Sequence, residues 1–313
     1  MKDFSIVIPL LNEFESIPVL AREIEEALNS VNNKWECIWV DDGSVDASWI
    51  ELNKLSSRHR ALKLSRNLGQ SSAIMAGCDN SKFDLIVTLD ADLQNNPKDI
   101  LKLLSSLDES LDCVCGIRKN RNDKLISRRI PSFIANWLAR RVTGVSVTDL
   151  GCTLRVFRKH LVTDNRLIGE MHRVLPIYFH LSGARMTEIE VDHRSRRFGN
   201  SKYGLDRIFK FIADILLAKV MNKITTRPLY FFGNISLACS LVGLTTIFTA
   251  LNRIIHSTGQ PQMSIINSSL IIVGVAMFSL SLVLTIFGLL TEVIIRKSSN
   301  GAEKSQYNVI EFK

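Results

Sequence analysis

The sequence predicts an α/β domain built on a mostly parallel sheet, followed by interfacial helices and two transmembrane helices. Three observations predict it. Short β-branched or aromatic apolar runs alternate with longer segments of helical spacing; acidic and amide residues follow several of those runs; and two uncharged stretches of spanning length lie in the C-terminal third. Strands that alternate with helices imply a sheet covered on both faces, with ligands bound beyond the strand carboxyl ends.

The runs at 4–10 (FSIVIPL), 36–40 (ECIWV), 85–89 and 111–115 read as strands, and 16–30, 46–58, 70–79 and 98–107 as helices. Polar signals follow three of the strands: Asn12 and Glu13, then Asp41 and Asp42, then Asp90 and Asp92. Past Arg118 a basic stretch, 118–129, precedes an amphipathic segment at 132–142 that carries Arg140 and Arg141; a membrane surface or the sheet could take its apolar face. Residues 205–223 repeat the pattern, with Leu205, Ile208, Phe209, Ile212, Ile215 and Leu216 expected on one side, and lead directly into the first span. That continuity favours an interfacial helix.

Residues 229–251 contain no charge, nor do 263–291, and each run exceeds the roughly 20 residues that cross a bilayer as a helix. Lys219, Lys223 and Arg227 precede the first run and Arg296, Lys297 and Lys304 follow the second, whereas the loop between carries only Arg253 and His256. The positive-inside rule then puts both termini in the cytoplasm. The expected organisation is a cytoplasmic domain over 1–204, a juxtamembrane helix over 205–228, a two-helix anchor over 229–295 and a polar, mobile cytoplasmic tail over 296–313. The run at 4–11 is too short, and too soon closed by Glu13, for a signal peptide.

A net charge of +8 over 313 residues suits a surface beside anionic lipid or one that handles anionic substrates. Nucleic acid is a poor fit, because no recognition motif accompanies the charge. The six cysteines show no paired CxxC spacing, and a cytoplasmic domain keeps them as thiols; Cys113 and Cys115 read as alternate residues of one strand.

Two carboxylates at the end of a strand need a reason. Residues two apart share a face, so Asp90 and Asp92 repel unless a cation lies between them. Asn96 reads as the cap of a helix begun by Pro97, which leaves the aspartates unexplained. With the amide of Gln94 they form an oxygen-donor set of the kind Mg²⁺ or Mn²⁺ prefers. Such a cation neutralises a departing diphosphate, the main difficulty when a sugar leaves a nucleoside diphosphate.

PLLNE (9–13), DDGSVD (41–46), RNLGQSSA (66–73), DADLQNNP (90–97) and RFGNSKY (197–203) stand in the order seen in family 2 glycosyltransferases. Residues 4–228 resemble the subgroup that charges polyprenyl phosphates with one sugar, dolichyl-phosphate mannose synthase and the bacterial undecaprenyl-phosphate enzymes among them. The resemblance implies the A-type glycosyltransferase fold. It also implies that Pro9, Leu11, Asn12, Glu13, Asp41, Asp42, Asp90 and Ala91 hold the nucleotide, while Asp90, Asp92 and Gln94 hold metal and diphosphate. Arg118, Arg128, Ser132 and Ser201 would meet the acceptor phosphate, with Arg129 the alternative to Arg128. Asp92, Asp149, Arg197 and Lys202 would serve the reaction, the last two from a loop that closes over the site.

A lipid monophosphate with a second pKa near 6 is largely dianionic at neutral pH, so a strong base is not required. Cations that position one anion against another are. Asp149, in TDLGCTLR, resembles a position of this subgroup near the reacting centre, which implies an orienting or weak-base role, unless it is only a turn residue before Gly151. Glu170, His172 and Arg173, in GEMHR, are expected to shape the floor of the sugar or acceptor pocket.

The sequence thus reads as a membrane-anchored, inverting transferase that moves one sugar from a nucleoside diphosphate sugar, UDP-linked by preference and GDP-mannose as alternative, to undecaprenyl or another polyprenyl phosphate. The setting is the cytoplasmic face of a bacterial inner membrane, with Mg²⁺ or Mn²⁺ as cofactor and a homo-oligomer of the spans as an open option. A processive polysaccharide synthase is disfavoured, since no Arg-Trp pair of the QxxRW type occurs. A non-catalytic lipid-binding scaffold is disfavoured by the intact Asp90, Asp92, Arg197 and Lys202.

Overall fold

The computed structural model describes residues 2–119, 136–163, 166–167, 169–195, 197–198, 206–256, 261–298 and 309–312. The chain divides into two compact units, one of residues 1–218 with 305–313 and one of 219–304. The first is an α/β domain with strands β1 (Phe4–Leu10), β2 (Trp35–Asp41), β3 (His59–Leu64), β4 (Leu85–Thr88), β5 (Cys113–Lys119), β6 (Arg155–Arg158), β7 (Met186–Asp192) and β8 (Val309–Phe312). Their order across the sheet is β7-β5-β6-β4-β1-β2-β3-β8. Strands β4, β1, β2 and β3 run parallel, while β6 and β8 enter antiparallel.

Helices α1 (Ile17–Leu28), α2 (Ser48–Asn53), α3 (Gln70–Asp79) and α4 (Asp99–Ser106) connect the parallel strands and the approach to β5. Further along come α5, whose described residues are 136–143, α6 (His160–Thr163), a 3₁₀ turn at Met171–Val174, α7 (Leu175–Leu181) and α8 (Asp206–Thr226). Strand alternation sorts the core into two layers. Phe4, Ile6 and Ile8 of β1 and Cys37 and Trp39 of β2 face one, with Ile17, Leu20, Ile24 and Leu28 of α1. Val7, Ile38 and Val40 face the other, with Ala73, Ile74 and Ala76 of α3. The four aliphatic side chains of α1 recur every three or four residues, and each contributes about 1.5–3 kcal/mol by leaving water.

Several expectations shift. The predicted helix over 46–58 shortens to α2, because the chain must extend again at His59 to form β3. Strands β3, β6 and β7 lack a long apolar run: RVFR and MTEIEVD mix charge with apolar residues, and β7 is mostly half-exposed. The first turn after Asn96 is not yet α4; Asn96 Oδ1 accepts the Lys98 N–H at 3.2 Å and the helix starts at Asp99. On α8 the core-facing residues are Phe211, Ile215 and Ala218, whereas Leu216 is exposed, so Ile215 and Leu216 do not share a face. The tail, expected to be mobile, adds β8 to the edge of β3 through 309–312.

The second unit holds α9 (Pro228–His256) and α10 (Pro261–Ser298). Their apolar windows have mean hydropathies of 1.7 and 2.7 with only 11% of each buried, which fits a lipid environment rather than a soluble core. The predicted spans over 229–251 and 263–291 fall inside these longer helices. The two pack closely at glycines that form no GxxxG pair: a Cβ on Gly243 would lie 2.8 Å from the Gly274 carbonyl oxygen. Ser236 Oγ donates to the Ser281 carbonyl at 2.7 Å, a polar tie inside the pair.

Candidate functional site

The site residues gather where the parallel strands end. Leu10 of β1 is level with Asp41 of β2, so the loops that follow both strands emerge side by side. Asn12, with φ +59°, clasps them: its N–H donates to Ser44 Oγ at 2.8 Å and its Oδ1 accepts the Val45 N–H at 2.9 Å. Glu13 adds a third tie, its N–H donating to Ser48 Oγ at 2.9 Å. Both residues predicted to hold a nucleotide thus also build the loops that would do so.

Asp41 and Asp42 differ in role. The Asp42 carboxylate accepts the Leu68 and Gly69 N–H groups at 2.7 and 2.9 Å, ordering the turn in which Gly69, at φ +92°, opens α3. Burial raises its pKa, those two N–H groups lower it, and Asp41 raises it again, for a net rise. Asp41 is fully buried; its Oδ1 accepts the Ser44 N–H at 2.8 Å, while its Oδ2 has no partner. A buried carboxylate oxygen left over in this way is suited to an N–H donor from a ligand.

Strand β4 stops at Thr88, so Asp90 and Asp92 lie in the loop beyond it rather than on its last residues. Ala91 and Leu93 bury their side chains in the core, Leu93 at φ +63°, which turns the alternating aspartates outward. Asp90 sits in a recess with Pro9, Gln70, Ile74, Thr88, Thr153, Arg155 and His172. Gln70 Nε2 donates to its Oδ1 at 2.8 Å. Burial first, and then the charge of Asp92, pushes the Asp90 carboxyl up to about 7, against the hydrogen bonds of Thr153 and Gln70 and the charge of Arg155. Two like charges so placed favour a cation between them. No cluster of three or more His, Cys, Asp or Glu side chains set for a metal occurs among the described residues, so this pair would leave further positions to substrate oxygens. The Gln94 amide nitrogen lies 3.4 Å from the Arg194 carbonyl, and its backbone carbonyl accepts the Arg194 N–H at 2.8 Å.

That contact brings the chain after β7 against the Asp92 loop, reinforced by the bridge between Asn95 and His193. Arg197 follows three residues later, exposed, its guanidinium 5.6 Å above the Phe198 ring while Phe198 packs on the core. On the other side, Arg118 of β5 is held by Asp149 in a two-pronged ion pair, 2.7 Å at each contact. Arg128, Arg129, Ser132, Ser201 and Lys202 lie outside the described residues. His172 meets Ser71 of α3 at 3.0 Å, and Arg173 pairs with Glu170 at 2.8 Å, so GEMHR abuts the recess as a turn rather than a helix face.

Sequence reasoning missed Gln70, Thr153 and Arg155 around Asp90. Arg155 is nearly fully buried, gives Nη2 to the Leu150 carbonyl at 2.8 Å and keeps its Nε without a partner. A lone arginine in a short strand carries no periodic signal, and only the pairing of β6 with β4 brings it beneath the aspartate loop.

Comparison with known proteins agrees with this geometry. The chain matches the family described as Glycosyl transferase family 2 over residues 5–165. A dodecaprenyl-phosphate galacturonate synthase of Rhizobium johnstonii is 37% identical over 304 residues, covering 94% of this chain and 88% of that protein. An undecaprenyl-phosphate 4-deoxy-4-formamido-L-arabinose transferase of Yersinia pestis is 41% identical over 249 residues, 78% of this chain and 74% of its own. Among solved structures, glucosyl-3-phosphoglycerate synthase of Mycobacterium tuberculosis, in complex with Mn²⁺, UDP and glucosyl-3-phosphoglycerate, superposes with a TM-score of 0.55 at 17% identity over 70% of this chain and 79% of that one. The same enzyme with Mg²⁺ and UDP gives 0.54 at 18% identity with the same coverage, a likeness of fold. A sheet whose carboxyl edge gathers Asp41, Asp42, Asp90 and Asp92, and a sequence match over half its length, place this chain in glycosyl transferase family 2.

Proposed function

We propose that the protein transfers one sugar from a nucleoside diphosphate sugar, UDP-linked by preference, to a polyprenyl phosphate at the cytoplasmic face of a membrane, with inversion at the anomeric carbon. The observation that carries this reading is the Asp90–Asp92 pair at the carboxyl edge, the edge that also carries the unpartnered Asp41 oxygen. A divalent cation fits there: two carboxylates driven together by the fold supply hard oxygen donors, and Asp90, Asp92 and Gln94 would hold Mg²⁺ or Mn²⁺. Bound, the cation would neutralise charge on the leaving diphosphate.

The chain's own residues supply the rest. Asp41 receives an N–H of the base, and the clasped loops of Asn12 and Glu13 form the nucleotide's rim. Arg118, oriented by Asp149, presents a guanidinium face to the acceptor phosphate. Arg197 and Lys202 close from the segment after β7. The acceptor phosphate is its own nucleophile, so the protein's task is to hold two anions together. The polyprenyl acceptor is supported by what the Rhizobium and Yersinia relatives are named for, and by two apolar helices that keep the domain at a bilayer. A screen of UDP- and GDP-linked sugars with undecaprenyl phosphate tests this reading. Metal-dependent transfer of a single sugar into the lipid phase supports it, and no transfer from any donor by folded protein overturns it.

A further inference from the structure

Gln70 stands at a junction between two groups that belong to different strands. Asp42 follows β2 and Asp90 follows β4, and β1 lies between those strands. Asp42 fixes the backbone of Leu68 and Gly69, and the next residue, Gln70, reaches across the carboxyl edge to donate Nε2 to Asp90 Oδ1 at 2.8 Å. One hydrogen-bonded path therefore links the loop at the nucleotide side to the carboxylate at the metal side. The neighbouring Ser71 carries the link on to His172 at 3.0 Å.

We propose that Gln70 is a positioning residue, setting the orientation in which Asp90 meets the divalent cation and tying that orientation to the loop ordered by Asp42. The inference rests on the metal-dependent reading above. A carboxylate rotates freely about its last bond unless a neighbour fixes it, and loss of such an outer partner costs about 10–100-fold in metal affinity. A residue that merely began the helix would alter stability and leave metal affinity alone.

The test uses the full-length protein in detergent and reads Mn²⁺ binding by electron paramagnetic resonance in the presence of UDP. Gln70→Met removes the donor at nearly constant volume, and Gln70→Ala checks that the effect is not the bulk of methionine. Both variants are expected to bind Mn²⁺ about 10–100-fold more weakly, with unchanged melting temperature and unchanged UDP affinity in chelator. Parent-like Mn²⁺ affinity in both variants overturns the proposal, as does an equal loss of UDP affinity without metal, which marks general disorder. If the parent itself binds no Mn²⁺ with UDP present, the metal-dependent reading fails first and this inference with it.

Discussion

Arg118 and Asp149 form a bidentate ion pair, Nε to Oδ2 and Nη2 to Oδ1 at 2.7 Å each, that joins β5 to the loop before β6. The same carboxylate also accepts the Arg118 and Gly151 N–H groups, both at 3.2 Å. Both oxygens are occupied by donors, which makes Asp149 a clamp that fixes the Arg118 guanidinium. The pair is largely buried, with side-chain exposures of 15% and 9%, so water does little to weaken it.

Asp149→Asn is therefore expected to lower kcat/KM for the lipid acceptor about 10–100-fold, the equivalent of one charge-assisted hydrogen bond. Its pH–rate profile should keep the parent's shape, since no base is removed. Combined with Arg118→Ala it should add nothing to Arg118→Ala alone, because the two act as a unit. Additive losses in the double-mutant cycle would reject the clamp.

Asp92→Asn removes one of two charges that face the proposed cation while keeping volume. Transfer is expected to fall by at least about 10³-fold, with the melting temperature unchanged or raised by relief of repulsion from Asp90. A chelator should bring the parent down to the variant's level and leave the variant itself unaffected. Activity in chelator equal to that with Mn²⁺ would refute the assignment.

The parallel heart of the domain was legible because β1, β2 and β4 are buried on both faces and so read as continuous apolar runs. The candidate site was legible where it sits at their ends, as with Asp41 and Asp90. Strands outside that parallel heart left weaker traces: RVFR of the buried, antiparallel β6 and MTEIEVD of the edge strand β7 carry charge that tertiary pairing, not local pattern, accommodates. Gln70, Thr153 and Arg155 stand inside RNLGQSSA and TDLGCTLR, yet nothing in those stretches marks them as neighbours of Asp90, because the partner lies beyond another strand.

Glu36 makes stability depend on pH with a definite sign. Burial raises its pKa, but the Lys82 N–H at 2.7 Å, Arg60 at 2.7 Å and Ser5 at 2.8 Å outweigh it and hold the carboxyl below its ordinary 4.5. A depressed folded pKa contributes stability above 4.5 that is lost as pH falls below it. Glu36→Gln should thus cost about 2–3 kcal/mol at pH 7, and the gap from the parent should close under acid. Urea melts at pH 7 and pH 3.5 check it; a gap independent of pH would count against it.

Gly274 packs where no side chain fits. A Cβ there would lie 2.5 Å from Ile247 Cγ1 and 3.0 Å from the Gly243 carbonyl oxygen. Gly274→Leu should force α9 and α10 apart, breaking the Ser236–Ser281 contact, and lower stability in detergent by about 1–3 kcal/mol. Thermal unfolding of the purified variant reads this out, and an unchanged melting temperature would mean the helices do not cross at Gly274.

Strand β8 constrains topology. Leu62 pairs with Phe312 and Lys63 with Glu311, although α9 and α10 intervene in the sequence. A strand can join a sheet only on the same side of a bilayer, so the pairing predicts that two crossings return the chain to the face it left. Protease added to oriented vesicles should accordingly cleave a C-terminal tag and the N-terminal domain from the same side. Ending the chain at residue 308 should preserve both spans, yet leave the β3 edge unpaired and lower the domain's stability by roughly 1–2 kcal/mol. A tag protected while the domain is cleaved would overturn the pairing, because the strand and its partner would then face opposite compartments.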